Sequence, residues 1–236
     1  MLNMKNLLIL HGWGSRAENW SRVKELLERK GYKVFVPDLP GFGENPPLSR
    51  AWSIDDYVEW VSDFCEKNNL SQFFLLGHSF GGAVAVKFSL KYPEKVKKMF
   101  LVASSGIRRK TIKKEIFKKI ANFLKFFSFL PFYFPIRKIF YKIIIQKSDY
   151  PYTKGIMKET YLKIVNEDIS FCFSEVSVPT IIIWGDKDDV LPVKNAYFIN
   201  QKIKNSNLVI VVGANHDLER KVPEILVEKI LNFIKT

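Results

Sequence analysis

Short runs of consecutive apolar residues alternate along this chain with stretches whose apolar positions recur every three or four residues. The unbroken runs are Leu7 to Leu10, Val34 to Val36, Phe73 to Leu76, Met99 to Val102, Thr180 to Trp184 and Leu208 to Val212. Runs of this length and composition predict strands buried on both faces. Between them, Ser21 to Lys30 places Val23, Leu26 and Leu27 on one helical face, and Gly31 ends the pattern. Ser53 with Asp56 three residues on predicts an N-terminal cap. Ile54, Tyr57, Val58, Val61, Phe64 and Cys65 then follow at helical spacing. Gly81 to Tyr92, stopped by Pro93, and Lys194 to Gln201 predict two more helices. Pro223 to Ile234 predicts a last one, with Ile225, Leu226, Ile230 and Phe233 inward. Strands alternating with amphipathic helices make an α/β fold with a parallel sheet covered on both faces. Such sheets bind ligands beyond the carboxyl ends of their strands.

One segment breaks this rhythm. Ile107 to Lys147 carries twelve basic residues against the single acid Glu115, a net of +11 out of +13 for the whole chain. It also holds ten aromatic residues, Phe123, Phe126, Phe127 and Phe129 among them. So sharp a shift in composition predicts an insertion with its own task. It sets residues 107–147 apart from the strand-and-helix pattern on either side.

At 236 residues the chain is long enough for one large domain. Its 47% hydrophobic and 26% charged residues exclude a disordered, collagen-like or coiled-coil chain. Two cysteines, Cys65 and Cys172, build neither a disulfide framework nor a four-cysteine zinc site. Leu7 to Leu10 is too short for a secretory core, and the apolar stretch Phe123 to Phe134 is interrupted by Lys125 and Pro131. The expectation is a soluble, cytoplasmic protein.

The chemistry sits at the predicted strand ends. Phe73 to Leu76 runs into Gly77-His78-Ser79-Phe80-Gly81-Gly82 and then into a helix. A strand-to-helix turn this sharp brings residues 77 and 81 together and leaves room only for small side chains. It thrusts the Ser79 hydroxyl out above the sheet. Serine needs a base to become a nucleophile. Of the three histidines, His78 adjoins the serine and should point elsewhere, and His11 shapes the loop after the first strand. His216 follows the sixth strand on the same sheet edge as Ser79, which makes it the candidate base. A carboxylate must then orient the imidazole. Asp186, Asp188 and Asp189 all follow the fifth strand, and composition alone does not choose among them.

Five stretches carry a resemblance over nearly the whole chain: His11-Gly12-Trp13-Gly14, Asp38 to Gly43, Gly77 to Gly82, Gly185 to Asp188, and Asn215-His216. With serine, acid and histidine in that order, the chain resembles the α/β-hydrolase superfamily. The resemblance implies about six mostly parallel strands, the family's usual first two being absent or vestigial, and a helical cap formed by residues 107–175. It implies that Asp188 is the acid of a G-x-x-D turn, and that the backbone amides of Trp13 and Phe80 hold the oxyanion. His11, Gly12 and His78 are expected at the substrate pocket. No metal or other cofactor is implied.

The expected function is a serine hydrolase of carboxylic esters with an apolar acyl or alcohol group. A nucleophilic serine disfavours the branches that use an aspartate at that position. His11 to Gly14 together with Asp38 to Gly43 is also similar to the methyl ester esterases that act on pimeloyl-carrier protein. The basic insertion is accordingly a candidate docking surface for an acidic carrier protein, a coenzyme-A ester or an anionic membrane. Carbon–carbon bond hydrolysis and a membrane-peripheral lipid-binding role are the other readings. No recognition motif for nucleic acid accompanies the charge.

Overall fold

The computed structural model describes residues 5–108 and 154–236. The lysine- and phenylalanine-rich stretch 109–153, with most of the predicted insertion, lies outside them. Six strands form one parallel sheet: β1 (Lys5–Leu10), β2 (Tyr32–Phe35), β3 (Phe73–His78), β4 (Val96–Val102), β5 (Thr180–Gly185) and β6 (Ser206–Val211). Their spatial order is β2-β1-β3-β4-β5-β6. All five pairings are parallel, with Leu7 opposite both Val34 and Phe74, and Ile182 opposite both Leu101 and Leu208. The chain winds outward from β1 in one direction to β2 and then reverses to β3. The β1–β3 boundary is therefore the switch point where such sheets open a crevice.

Every residue of β3 and β5 is buried, as continuous apolar runs require when helices cover both faces. The α-helices among the described residues are α1 (Ser21–Glu28), α2 (Ile54–Lys67), α3 (Phe80–Lys91), α4 (Gly155–Asn166), α5 (Lys194–Lys202), α6 (Leu218–Lys221) and α7 (Pro223–Lys235). Helix α1 packs on α7, and α2 on α3. Ser53 caps α2 as the spacing predicts. Its hydroxyl accepts from the Asp56 amide, and the Asp56 carboxylate accepts from the Ser53 amide at 2.6 Å.

The predicted strands and helices are present, with ends that coincide or shift by up to three residues. Strand β3 runs on through Gly77 and His78, so the strand itself carries the motif up to the serine. Ile225 is corrected: it is 39% exposed, and Val227 takes its place on the buried face of α7 with Leu226, Ile230 and Phe233. Helical spacing allows either residue, and packing against α1 selects the one that turns inward. Helix α6, one turn long, was not anticipated. Ile169, Cys172 and Phe173, placed by sequence in the insertion, are buried in the same hydrophobic core as the sheet. Both cysteines are free and buried. Among the described residues no helix is long and apolar enough to cross a membrane.

Candidate active site

Ser79 stands between β3 and α3 with φ 51° and ψ −117°. That region is reserved in practice for glycine, so the serine is held there against its own preference. Three backbone bonds hold it. The Ser79 amide donates to Val102 O at 3.0 Å, and Ser79 O accepts from the amides of Gly82 (3.0 Å) and Ser105 (2.9 Å). The glycines on either side are a steric requirement. A Cβ on Gly77 would lie 2.4 Å from Gly81 O, and one on Gly81 would lie 2.2 Å from Leu10 O. The elbow is thus wedged against the end of β1. Phe80 is the first residue of α3, where an N–H has no acceptor within the helix.

The loop after β1 closes over this elbow. A Cβ on Gly12 would come within 3.0 Å of His78 Nδ1 and 3.2 Å of Ser79 Cβ. His11 is fully buried and saturated by backbone: Nδ1–H donates to Gly12 O and Nε2 accepts from the Leu39 amide, both at 2.8 Å. Burial pushes its pKa down, consistent with a neutral ring acting as a loop brace. Trp13 packs edge-on against Phe42 and Phe80 and tilts against Tyr161 of α4.

In the loops that follow β5 and β6, at the same carboxyl edge, Asp188 and His216 meet. His216 Nδ1–H donates to Asp188 Oδ2 at 2.8 Å. The carboxylate is fully enclosed, while the imidazole keeps 11% exposure. The other oxygen, Asp188 Oδ1, accepts from the amides of Val190 (2.9 Å) and Leu191 (2.7 Å), which fixes the carboxylate before the histidine arrives. Of the three carboxylates that composition could not separate, Asp188 is the one that reaches His216. Asp186 instead accepts from the Gly213 amide at 2.6 Å, and Asp189 is exposed. The two loops are pressed together at Gly185, whose Cβ would sit 2.2 Å from Ala214 O. Lys187 donates its amide to the same carbonyl at 3.0 Å. Holding Asp188 on Nδ1 leaves Nε2 of a neutral His216 as the basic nitrogen.

A cavity of about 190 Å³ opens at Ser79. Its walls are Trp13, Ile54, Phe80, Ala83, Ile107, Tyr161, Ile164, Val165, Val190 and Leu191, with Ser105, Gly106 and Glu167. The surface is mostly apolar. The pocket residues expected from sequence are placed differently. His11 and Gly12 lie in the loop wall and His78 is buried behind the elbow, and none of the three lines this cavity. Tyr161, Ile164, Val190 and Leu191 were not singled out by sequence. They come from α4 and from the loop after β5, whose fold-back over the elbow no local pattern announces. Glu219, which follows His216 in the charged stretch Leu218-Glu219-Arg220, is 2% exposed.

Against this geometry, the family described as alpha/beta hydrolase fold matches residues 5–136. The chain belongs to that family. It is 27% identical over 228 residues to Lipase 1 of Psychrobacter immobilis, covering 89% of this chain and 70% of that protein. It is 30% identical over 253 residues to a pimeloyl-[acyl-carrier protein] methyl ester esterase of Wigglesworthia glossinidia brevipalpis, covering 98% of this chain and 93% of that one. Among solved structures it resembles an esterase from Exiguobacterium antarcticum, with a TM-score of 0.76 at 21% identity, over 98% of this chain and 92% of the other.

Proposed function

We propose that this protein is a serine hydrolase that cleaves carboxylic esters through Ser79, His216 and Asp188. Its coarse part rests on the family: this is an ester hydrolase, with lipase- and esterase-named relatives. The finer assignment is supported above all by the enclosed Asp188–His216 hydrogen bond, in loops at the same carboxyl edge of the sheet as a strained serine that opens into an apolar cavity. Ser79 Oγ attacks the ester carbonyl carbon as His216 Nε2 takes its proton. The amides of Trp13 and Phe80 are read as the oxyanion donors, a contribution of about 3 kcal/mol each where such donors have been removed elsewhere. The tetrahedral species collapses with cleavage of the acyl carbon–oxygen bond, and His216 returns the proton to the leaving alcohol. Water then gives its proton to His216 and attacks the acyl-enzyme. The acid departs and Ser79 recovers its proton. Asp188 stays ionised, holding the imidazole in the useful tautomer and stabilising its charged form.

The apolar walls fit an acyl or aromatic group of modest size, with Tyr161, Ile164 and Val165 of α4, within the proposed cap, among them. Ser79→Ala is expected to abolish p-nitrophenyl ester hydrolysis and fluorophosphonate labelling while the fold, read by circular dichroism, is kept. Turnover retained in that variant overturns the assignment.

A second reading, that the ester is carried on an acidic acyl-carrier protein, is favoured by two observations. These are the +11 of residues 107–147 and the 30% identity to a carrier-protein methyl ester esterase across nearly both chains. It predicts that a carrier-linked methyl ester is a far better substrate than the free ester, and that the advantage fades as salt is raised.

A further inference from the structure

Three buried side-chain atoms among the described residues have no hydrogen-bond partner, and all three lie around His78: Trp20 Nε1, His78 Nδ1 and Glu219 Oε2. The rings of Trp20 and His78 meet at 5.8 Å between centroids. Glu219 Oε2 is 4.0 Å from His78 Nε2, a gap that a bridging water or a small rotation of the glutamate closes. A buried polar atom left unpaired costs about 1–3 kcal/mol, so three in one place need a reason. The mechanism above uses none of them.

Their position supplies the reason. His78 Nε2–H donates to the backbone carbonyl of His216 at 3.0 Å, and the two imidazoles lie 4.9 Å apart. The base is therefore held at two points. Its ring is held by Asp188 and its main chain by His78. Glu219, on α6 three residues after His216, backs the second tether. Burial pushes the Glu219 carboxyl up to about 7, with Asp217 adding to the rise and Arg220 and His216 opposing it. Burial pushes His78 down to about 3, with the neighbouring His216 adding to the fall. Both directions favour an uncharged acid beside an uncharged imidazole. Arg220 Nε lies 3.8 Å from Glu219 Oε1 and favours the carboxylate, but burial outweighs it.

We propose that Glu219 is a positioning residue that acts through His78 to hold the backbone of His216, and with it the ring that meets Asp188. The inference rests on the reading of His216 as the base, and it goes beyond the triad in naming what holds that base from behind. Glu219→Leu removes the carboxyl at similar bulk. Glu219→Gln restores an uncharged hydrogen-bonding group.

Two readouts apply. The first is the low-field proton resonance of His216 Nδ1–H in its bond to Asp188. The second is kcat against KM on a p-nitrophenyl ester. The leucine variant is expected to lose or broaden the resonance and to drop at least tenfold in kcat with KM little changed. The glutamine variant is expected to recover both to within about threefold of the parent. A folded leucine variant that keeps the resonance and the kcat overturns the proposal, as does a folded glutamine variant that loses them. Should the leucine variant not fold, His78→Phe carries the same test, since it removes the Nε2 donor: a lost resonance supports the tether and a retained one overturns it. Failure of the parent protein to turn over any ester would defeat the hydrolase reading alone, because the resonance reports His216 without turnover.

Discussion

Replacing Ser79 by glycine should make the protein more stable than replacing it by alanine. Both variants lose the hydroxyl, so the comparison isolates the backbone. At φ 51° and ψ −117° the residue sits where a Cβ is strained, and alanine keeps that Cβ. Strain of this kind is worth about 1–3 kcal/mol. Glycine relieves it but loses about 0.5–1 kcal/mol through the greater freedom of the unfolded chain. The net expectation is that Ser79→Gly exceeds Ser79→Ala by about 1 kcal/mol. In a chain of this length that is roughly 2–4 °C in Tm. Urea unfolding followed by tryptophan fluorescence gives the free energies, and calorimetry gives Tm. The expected order also has a functional meaning: presenting a hydroxyl at this turn requires a Cβ, and only removing that Cβ releases the strain. Equal stability, or alanine ahead of glycine, would refute the claim that the turn is strained.

Two further outcomes follow from the electrostatics. Because the folded pKa of Glu219 is raised to about 7 from 4.5, its contribution to stability is complete below the unfolded value and is lost as pH rises through the folded one. The stability of the parent relative to Glu219→Gln should therefore fall by up to about 3 kcal/mol between pH 4 and pH 8 in urea titrations; a difference that stays flat or rises contradicts the buried, uncharged acid. Asp188→Asn, its neighbours Val190 and Leu191 still bonding the remaining oxygen, should fold normally and lose about three to four orders of magnitude in kcat. Asp189→Asn should change kcat by less than about twofold, and finding Asp188→Asn the milder of the two would mean the acid lies elsewhere.

The tie between local sequence and this site differs from residue to residue. Ser79 is readable because its neighbours are: glycine at 77 and 81 is demanded by carbonyl oxygens 2.4 and 2.2 Å from where a side chain would begin, and that demand is written as a five-residue motif. His216 is readable by position, following the last strand on the edge that the parallel sheet shares with Ser79. Asp188 is different. Three aspartates within four residues look alike in composition, and the choice comes from the approach of Gly185 to Ala214, which sets the register between two loops. Ile225 and Val227 show the same limit on a helix, where spacing admits either and the partner helix decides.

Glu219 lies beyond what any local pattern reports. A glutamate flanked by Leu218 and Arg220 at a helix start reads as solvated. It is buried because α6 folds back under His78 and the Trp20 turn, residues roughly 140 and 200 positions away. The amino-acid sequence alone determined the periodicities, hence the strands and helices, and the strand-end motifs, hence the family and the candidate nucleophile Ser79. The tertiary structure decided which side chains wall the cavity and which charged residue is taken out of water, and it bonds His216 to Asp188, the one of three aspartates that the family resemblance singles out. The division has one cause: backbone strain and hydrophobic periodicity act between near neighbours, whereas burial and hydrogen-bond partnership belong to surfaces that meet only when the chain is folded.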